Sequence, residues 1–77
     1  MATLFSLTDV PIGQRVRIHQ LDTQPDLCCR LREMGFSENA VVRCLHRAHG
    51  NIICEVFNTR IGINNALAEF IAVSPYE

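Results

Sequence analysis

The chain contains no lysine; all seven of its basic side chains are arginine, against eight carboxylates. With a net charge of −1 it has no long-range attraction for nucleic acid or for anionic lipid. No long apolar run is present either, and the stretches it has fall far short of the roughly 20 residues needed to span a bilayer. The start, Met1 to Asp9, has neither a basic lead nor a continuous apolar segment, so it is not a secretory signal. A cytoplasmic protein is expected. Four cysteines are present, but Cys28 and Cys29 are neighbours and no C-x-x-C pair occurs. Without a secretory signal, reduced thiols are expected rather than disulfides. Repeats, linkers and low-complexity segments are missing.

Missing, too, are the marks of an enzyme. There is no G-x-S-x-G, no phosphate-binding glycine loop, and no Cys–His pair with an orienting third group. The carboxylates are spread evenly. No catalytic residue is assigned.

What is present supports a small core. Seventy-seven residues, 48% of them hydrophobic, make one domain over 1–77. A chain of this length buries only about 60% of its unfolded surface, so compactness matters. Ser6 can cap one helical turn that Pro11 ends, before a turn at Gly13. From Gln14 to Gln20 the residues alternate, with Val16 and Ile18 to the core and Arg15, Arg17 and His19 outward, which predicts a strand.

A short helix follows. Pro25 suits its first turn, and Thr23 with Asp26 forms a weak version of a capping box. Leu27, Leu31 and Met34 fall on one stripe, Cys28 flanks it, and Cys29 lies on the opposite face. Gly35 closes the helix, because glycine tolerates the left-handed backbone of a helix end. Leu31 and Phe36 then occupy the two positions that meet in a Schellman cap.

Beyond this corner the chain reads as strand. Ala40 to Ala48 and Ile52 to Phe57 predict a hairpin with turn chemistry at Gly50-Asn51. A second turn at 58–60 leads to a short strand 61–63, where Gly62 marks a bulge or close packing. One helical turn over 64–69 and a last strand 70–73 complete the chain. The fold class is therefore mainly β: a small five-stranded, partly open barrel with one short helix between the first and second strands.

Metal binding is the sharpest chemical possibility. A four-residue hairpin loop over 48–51 makes paired residue numbers sum to 99, which sets Cys44 opposite Glu55 and Cys54 opposite Leu45. Cys44, His46 and Glu55 would then share a face and could hold ferrous iron or zinc weakly. Structural zinc sites usually have four nitrogen or sulfur ligands, and buried thiols also serve as small hydrophobes.

The order of motifs resembles the FeoA family, small cytoplasmic proteins that accompany the ferrous iron transporter FeoB. Leu7 to Gly13 matches an L-x₅-G start, and Arg30 to Phe36 an R-L-x-x-M-G-hydrophobic motif. A valine-rich strand from Ala40, the Gly50-Asn51 hairpin and an Ala-x-x-Ile-x-Val ending at Ala68 to Val73 follow. Glu38-Asn39 replaces the usual Pro-Gly, and Asn64-Asn65 replaces basic residues. The hairpin loop is shorter and lacks its prolines. The resemblance implies an SH3-like barrel, related to the C-terminal domain of DtxR-type repressors. It also implies an accessory role in ferrous iron uptake through contact with FeoB. On that reading the contact surface lies where helix meets barrel, at Leu31, Met34 and Phe36, with Arg30 and Arg32 on the rim. The same apolar residues also suit a purely structural stripe. A metal-binding regulatory domain and an SH3-like peptide-binding module are the alternatives.

Overall fold

The computed structural model describes residues 4–76. Its one antiparallel sheet has six strands in the order β1-β6-β2-β3-β4-β5. These are β1 (Phe5–Ser6), β2 (Arg15–Leu21), β3 (Val41–Ala48), β4 (Asn51–Val56), β5 (Thr59–Asn64) and β6 (Ile71–Pro75). Helix α1 spans Pro25–Met34 between β2 and β3, and the short α2 spans Asn65–Ala68. The sheet curls without closing, as a partly open barrel. The sixth strand, unforeseen in the sequence, is the two-residue β1, paired with Val73 and Ala72 of β6. Two residues carry no readable alternation, so only the tertiary pairing reveals it. The expected cap is real: the Ser6 side chain accepts from the Thr8 amide at the head of a 3₁₀ turn, Leu7–Asp9.

The alternation in β2 works as read, with Val16 and Ile18 fully buried. They join Leu7, Leu31, Phe36, Val42, Ile52, Val56, Ile71 and Val73 in one apolar core. Each such side chain contributes about 1.5–3 kcal/mol by leaving water. No charged side chain is buried among the described residues.

Helix α1 ends as expected. Gly35 has φ +110°, its amide donates to the Arg32 carbonyl at 3.1 Å, and the Phe36 amide donates to the Leu31 carbonyl at 2.8 Å. That pair of bonds is the Schellman motif. The start differs from expectation: Gln24, not Thr23, precedes the first turn, and no side chain caps it. Pro25 offsets this, since it has no amide to leave unsatisfied there.

The first hairpin turns within the expected 48–51 loop, Ala48 pairing with Asn51, whereas the second turns one residue before the expected 58–60. The first turns on His49-Gly50 and the second on Phe57-Asn58, all four with positive φ. Two-residue turns of this hand match the twist of the flanking strands. Gly62 marks close packing rather than a bulge, because a Cβ there would lie 3.2 Å from Ile53 Cδ1 and β4–β5 pairing is continuous.

A bulge does occur in β3. Val42, Arg43 and Cys44 pair with Val56, Glu55 and Cys54, whereas His46, Arg47 and Ala48 pair with Ile53, Ile52 and Asn51. Leu45 is the extra residue. The predicted register holds near the turn and fails by one residue beyond it.

Gly35→Ala is expected to lower stability by about 1–2 kcal/mol, the cost of a side chain in a left-handed conformation. Denaturant unfolding of the two proteins measures it, with Asn39→Gly, also at positive φ, expected to leave stability unchanged or raised.

Candidate interaction surface

The bulge redistributes the residues expected to bind metal. Cys44 pairs with Cys54 rather than Glu55, and both cysteines are fully buried. His46, beyond the bulge, is exposed. Glu55 faces Arg43 instead and accepts from its guanidinium at 2.9 Å. The proposed Cys44–His46–Glu55 cluster is therefore not assembled: one extra residue sends Cys44 and His46 to opposite faces. Among the described residues no group of three or more His, Cys, Asp or Glu side chains is placed to hold a metal ion. The contact with Cys44, and then burial, pushes the Cys54 thiol well above its usual range. It stays a neutral core group. Cys28 is buried beside the helix start, donating to the Leu21 and Thr23 carbonyls, while Cys29 is exposed.

The expected contact stripe is also redistributed. Leu31 and Phe36 are fully buried, and Met34 is half-buried against the same core. Arg30 and Arg32 are exposed. Arg32 is already occupied, forking onto both Glu38 oxygens at 3.0 and 2.8 Å. This hydrogen-bonded fork holds the Glu38 carboxyl at about 2, well below the usual carboxylate range. The apolar side chain displayed at this corner is Phe57, from the β4–β5 turn. It is 73% exposed, and a Cβ on Gly35 would lie 3.8 Å from its ring.

Next to Phe57 lies the outer face of the sheet. Residues directly opposite in an antiparallel ladder point to the same side. Arg15 pairs with Arg43, Arg43 with Glu55, and Glu55 with Arg60. One row therefore crosses four strands with three arginines and one carboxylate. Arg17 adds a fourth arginine to this face, but it is tied down, donating to the Asn39 carbonyl at 3.0 Å and stacking 5.2 Å over the Tyr76 ring. Among the described residues, no side-chain partner holds Arg15 or Arg60. Arg43 meets Glu55 through one nitrogen only, and its Nε is buried without an acceptor.

The row borders a shallow concavity of about 350 Å³. Its strand walls are Arg15, Val41, Arg43 and Glu55, and its loop walls are Asn39, Phe57 and Asn58. Alternation in β2 foretold Arg15 and Arg17 outward. Arg43 and Arg60 join them only through the bulged register.

The FeoA domain model matches residues 5–75, nearly the whole chain. The chain belongs to the FeoA family. A crystal structure described as an iron uptake regulatory protein (FeoA) superposes with a TM-score of 0.88 at 21% identity, covering 96% of this chain and 100% of that one. The FeoA protein from Chlorobium tepidum gives 0.86 at 20% identity, covering 95% of this chain and 71% of that one. A manganese-dependent transcriptional repressor gives 0.88 at 18% identity, over 99% of this chain but only 44% of the repressor. At these identities the likeness concerns the fold, a partly open SH3-like barrel shared by FeoA proteins and repressor C-terminal domains. Comparison with curated protein sequences found no match.

Two outcomes follow from the local geometry. Because its folded carboxyl titrates near 2, Glu38 contributes stability that is complete above the ordinary carboxylate range and is lost as pH falls through that value. In Glu38→Gln the urea midpoint should therefore fall less steeply than in wild type between about pH 4.5 and 2. In a thiol-reagent assay, Cys29 should react at once, with Cys28, Cys44 and Cys54 reacting only as the protein unfolds.

Proposed function

We propose that this FeoA-family chain is a non-catalytic accessory protein of ferrous iron uptake. It works in the cytoplasm by binding the cytoplasmic part of an FeoB-type transporter and modulating it through contact. The carrying observation is the family match over residues 5–75, which supports a role in ferrous iron transport systems. The geometry fits action by contact. The cysteines that chemistry would need are core or isolated, whereas the polar groups spread over an outer sheet face beside an exposed aromatic ring. No helix among the described residues is long and apolar enough to cross a membrane. A membrane transporter would thus be met at a domain that projects from the bilayer.

The test is calorimetric titration of the folded chain into the isolated FeoB cytoplasmic domain, with and without guanine nucleotide. Saturable binding at micromolar concentrations is the expected result. Absence of binding at tens of micromolar in every nucleotide state, with folding confirmed by circular dichroism, would refute the reading.

A further inference from the structure

Phe57 is costly twice over. Its ring is 73% exposed, and its backbone sits at φ +52°, a conformation that disfavours bulky side chains and that turns of this type usually give to Asn or Gly. The hairpin does not need phenylalanine there. The ring stands beside the arginine row, against the concavity that Arg15 and Arg43 also line. In a chain of net charge −1, four arginines and one carboxylate occupy this outer face. Charge of one sign, an aromatic rim and a shallow depression thus coincide at one place.

We infer that this face is a docking site for an extended acidic protein segment, with an apolar side chain against Phe57 and carboxylates on Arg15, Arg43 and Arg60. The row crosses three inter-strand gaps, about 14 Å, which about four extended residues would span. Arginine suits the task because its planar fork takes a carboxylate through two parallel bonds. Arg43 is poised for exchange: Glu55 engages one of its nitrogens and leaves Nε without an acceptor, so turning the guanidinium onto a ligand carboxylate satisfies more donors. Glu55 within the row disfavours a nucleic-acid backbone, which presents evenly spaced phosphates. The source of the segment rests on the transporter reading above; its chemistry rests on this face alone.

The probe is a short fluorescein-labelled peptide of alternating Asp and Glu around one central Leu, followed by anisotropy against the full chain. Binding should be weak, should fall with added salt, and should drop about fivefold for Arg15→Glu or Arg60→Glu, the factor expected of an exposed ion pair of about 1 kcal/mol. Phe57→Asn should weaken it further while raising the unfolding midpoint, a combination that loss of structure would not produce. Amide shifts in the NMR spectrum should cluster on β2–β5 around the row. The inference fails if the peptide does not bind, if these variants bind as wild type does, if the shifts map elsewhere, or if a lysine-substituted peptide or a single-stranded oligonucleotide binds more tightly. The same variants titrated into the FeoB cytoplasmic domain separate the two readings. Transporter binding that ignores Arg15, Arg60 and Phe57 overturns this surface and leaves the transporter role standing. Peptide binding on this face without any transporter binding does the reverse.

Discussion

The extra residue at Leu45 decides which side of the sheet each side chain of the central hairpin occupies. A two-residue turn at His49-Gly50 imposes one register on the strands beside it. The apolar alternation of β4, with Ile52, Cys54 and Val56 inward, demands another once the chain reaches Val42 and Cys44. These requirements differ by one residue, and a bulge reconciles them. Because of it Cys44 enters the core, His46 turns to water, and Arg43 comes level with Arg15 and Glu55. A second irregularity lies in β2 between Ile18 and Gln20. Bulges bend and twist the strands that carry them, so the irregularities that fix the face of each side chain also favour curling the sheet into an open barrel.

The corner after α1 is built from backbone conformations that few residues accept. Gly35, Asn39 and Phe57 all have positive φ, and they lie close together where the helix end, the following loop and the β4–β5 turn meet. Glycine at the first is required by the Schellman bonds. Asparagine at the second accepts a left-handed backbone more readily than most side chains do, and the neighbouring Glu38 gives Arg32 a partner. Glu38-Asn39 therefore suits the corner's backbone and supplies a surface ion pair. Phenylalanine at the third position has no such local justification. This difference separates residues that build the corner from the one that the corner displays.

Where a side chain's fate depends on its neighbours along the chain, the sequence was a reliable guide except at the start of α1, which Gln24 rather than Thr23 precedes without a side-chain cap. Ser6 as a cap, Val16 and Ile18 inward, Gly35 as the helix stop, and the inward stripe of Leu31 all follow from local spacing. Where the outcome depended on a strand's partner, local spacing was insufficient. The β4–β5 turn was displaced by one position, β1 was invisible, and the Cys44–His46–Glu55 grouping failed because a uniform register was assumed. A clue was present in the hairpin itself. Pairing numbers that sum to 99 set Cys54 and Val56 opposite Leu45 and Arg43, whereas a sum of 98 matches Val56 with Val42 and Cys54 with Cys44. That conflict between turn length and apolar pattern is the sequence signature of a bulge. Leu31 and Phe36 drop out of the expected contact stripe for a related reason: they are apolar and near the corner, but a small domain cannot spare such residues from its core.

A domain of this size has little area for a large hydrophobic interface without sacrificing the core that stabilises it. Its apolar groups are largely committed: the described core takes Leu31 and Phe36, and the remaining large exposed apolar side chains are Leu4, Ile12, Phe57, Phe70 and Tyr76. Contact with a partner must then rely on a few displayed groups and on charge. Arginines on a strand face cost the fold little, because their stems cover apolar surface while their heads stay in water. Such a surface gives modest affinity and fast, salt-sensitive exchange rather than permanent assembly. The same economy bears on the strain at Phe57: the turn gives up some stability, and the surface displays an aromatic ring that no core residue could be released to supply.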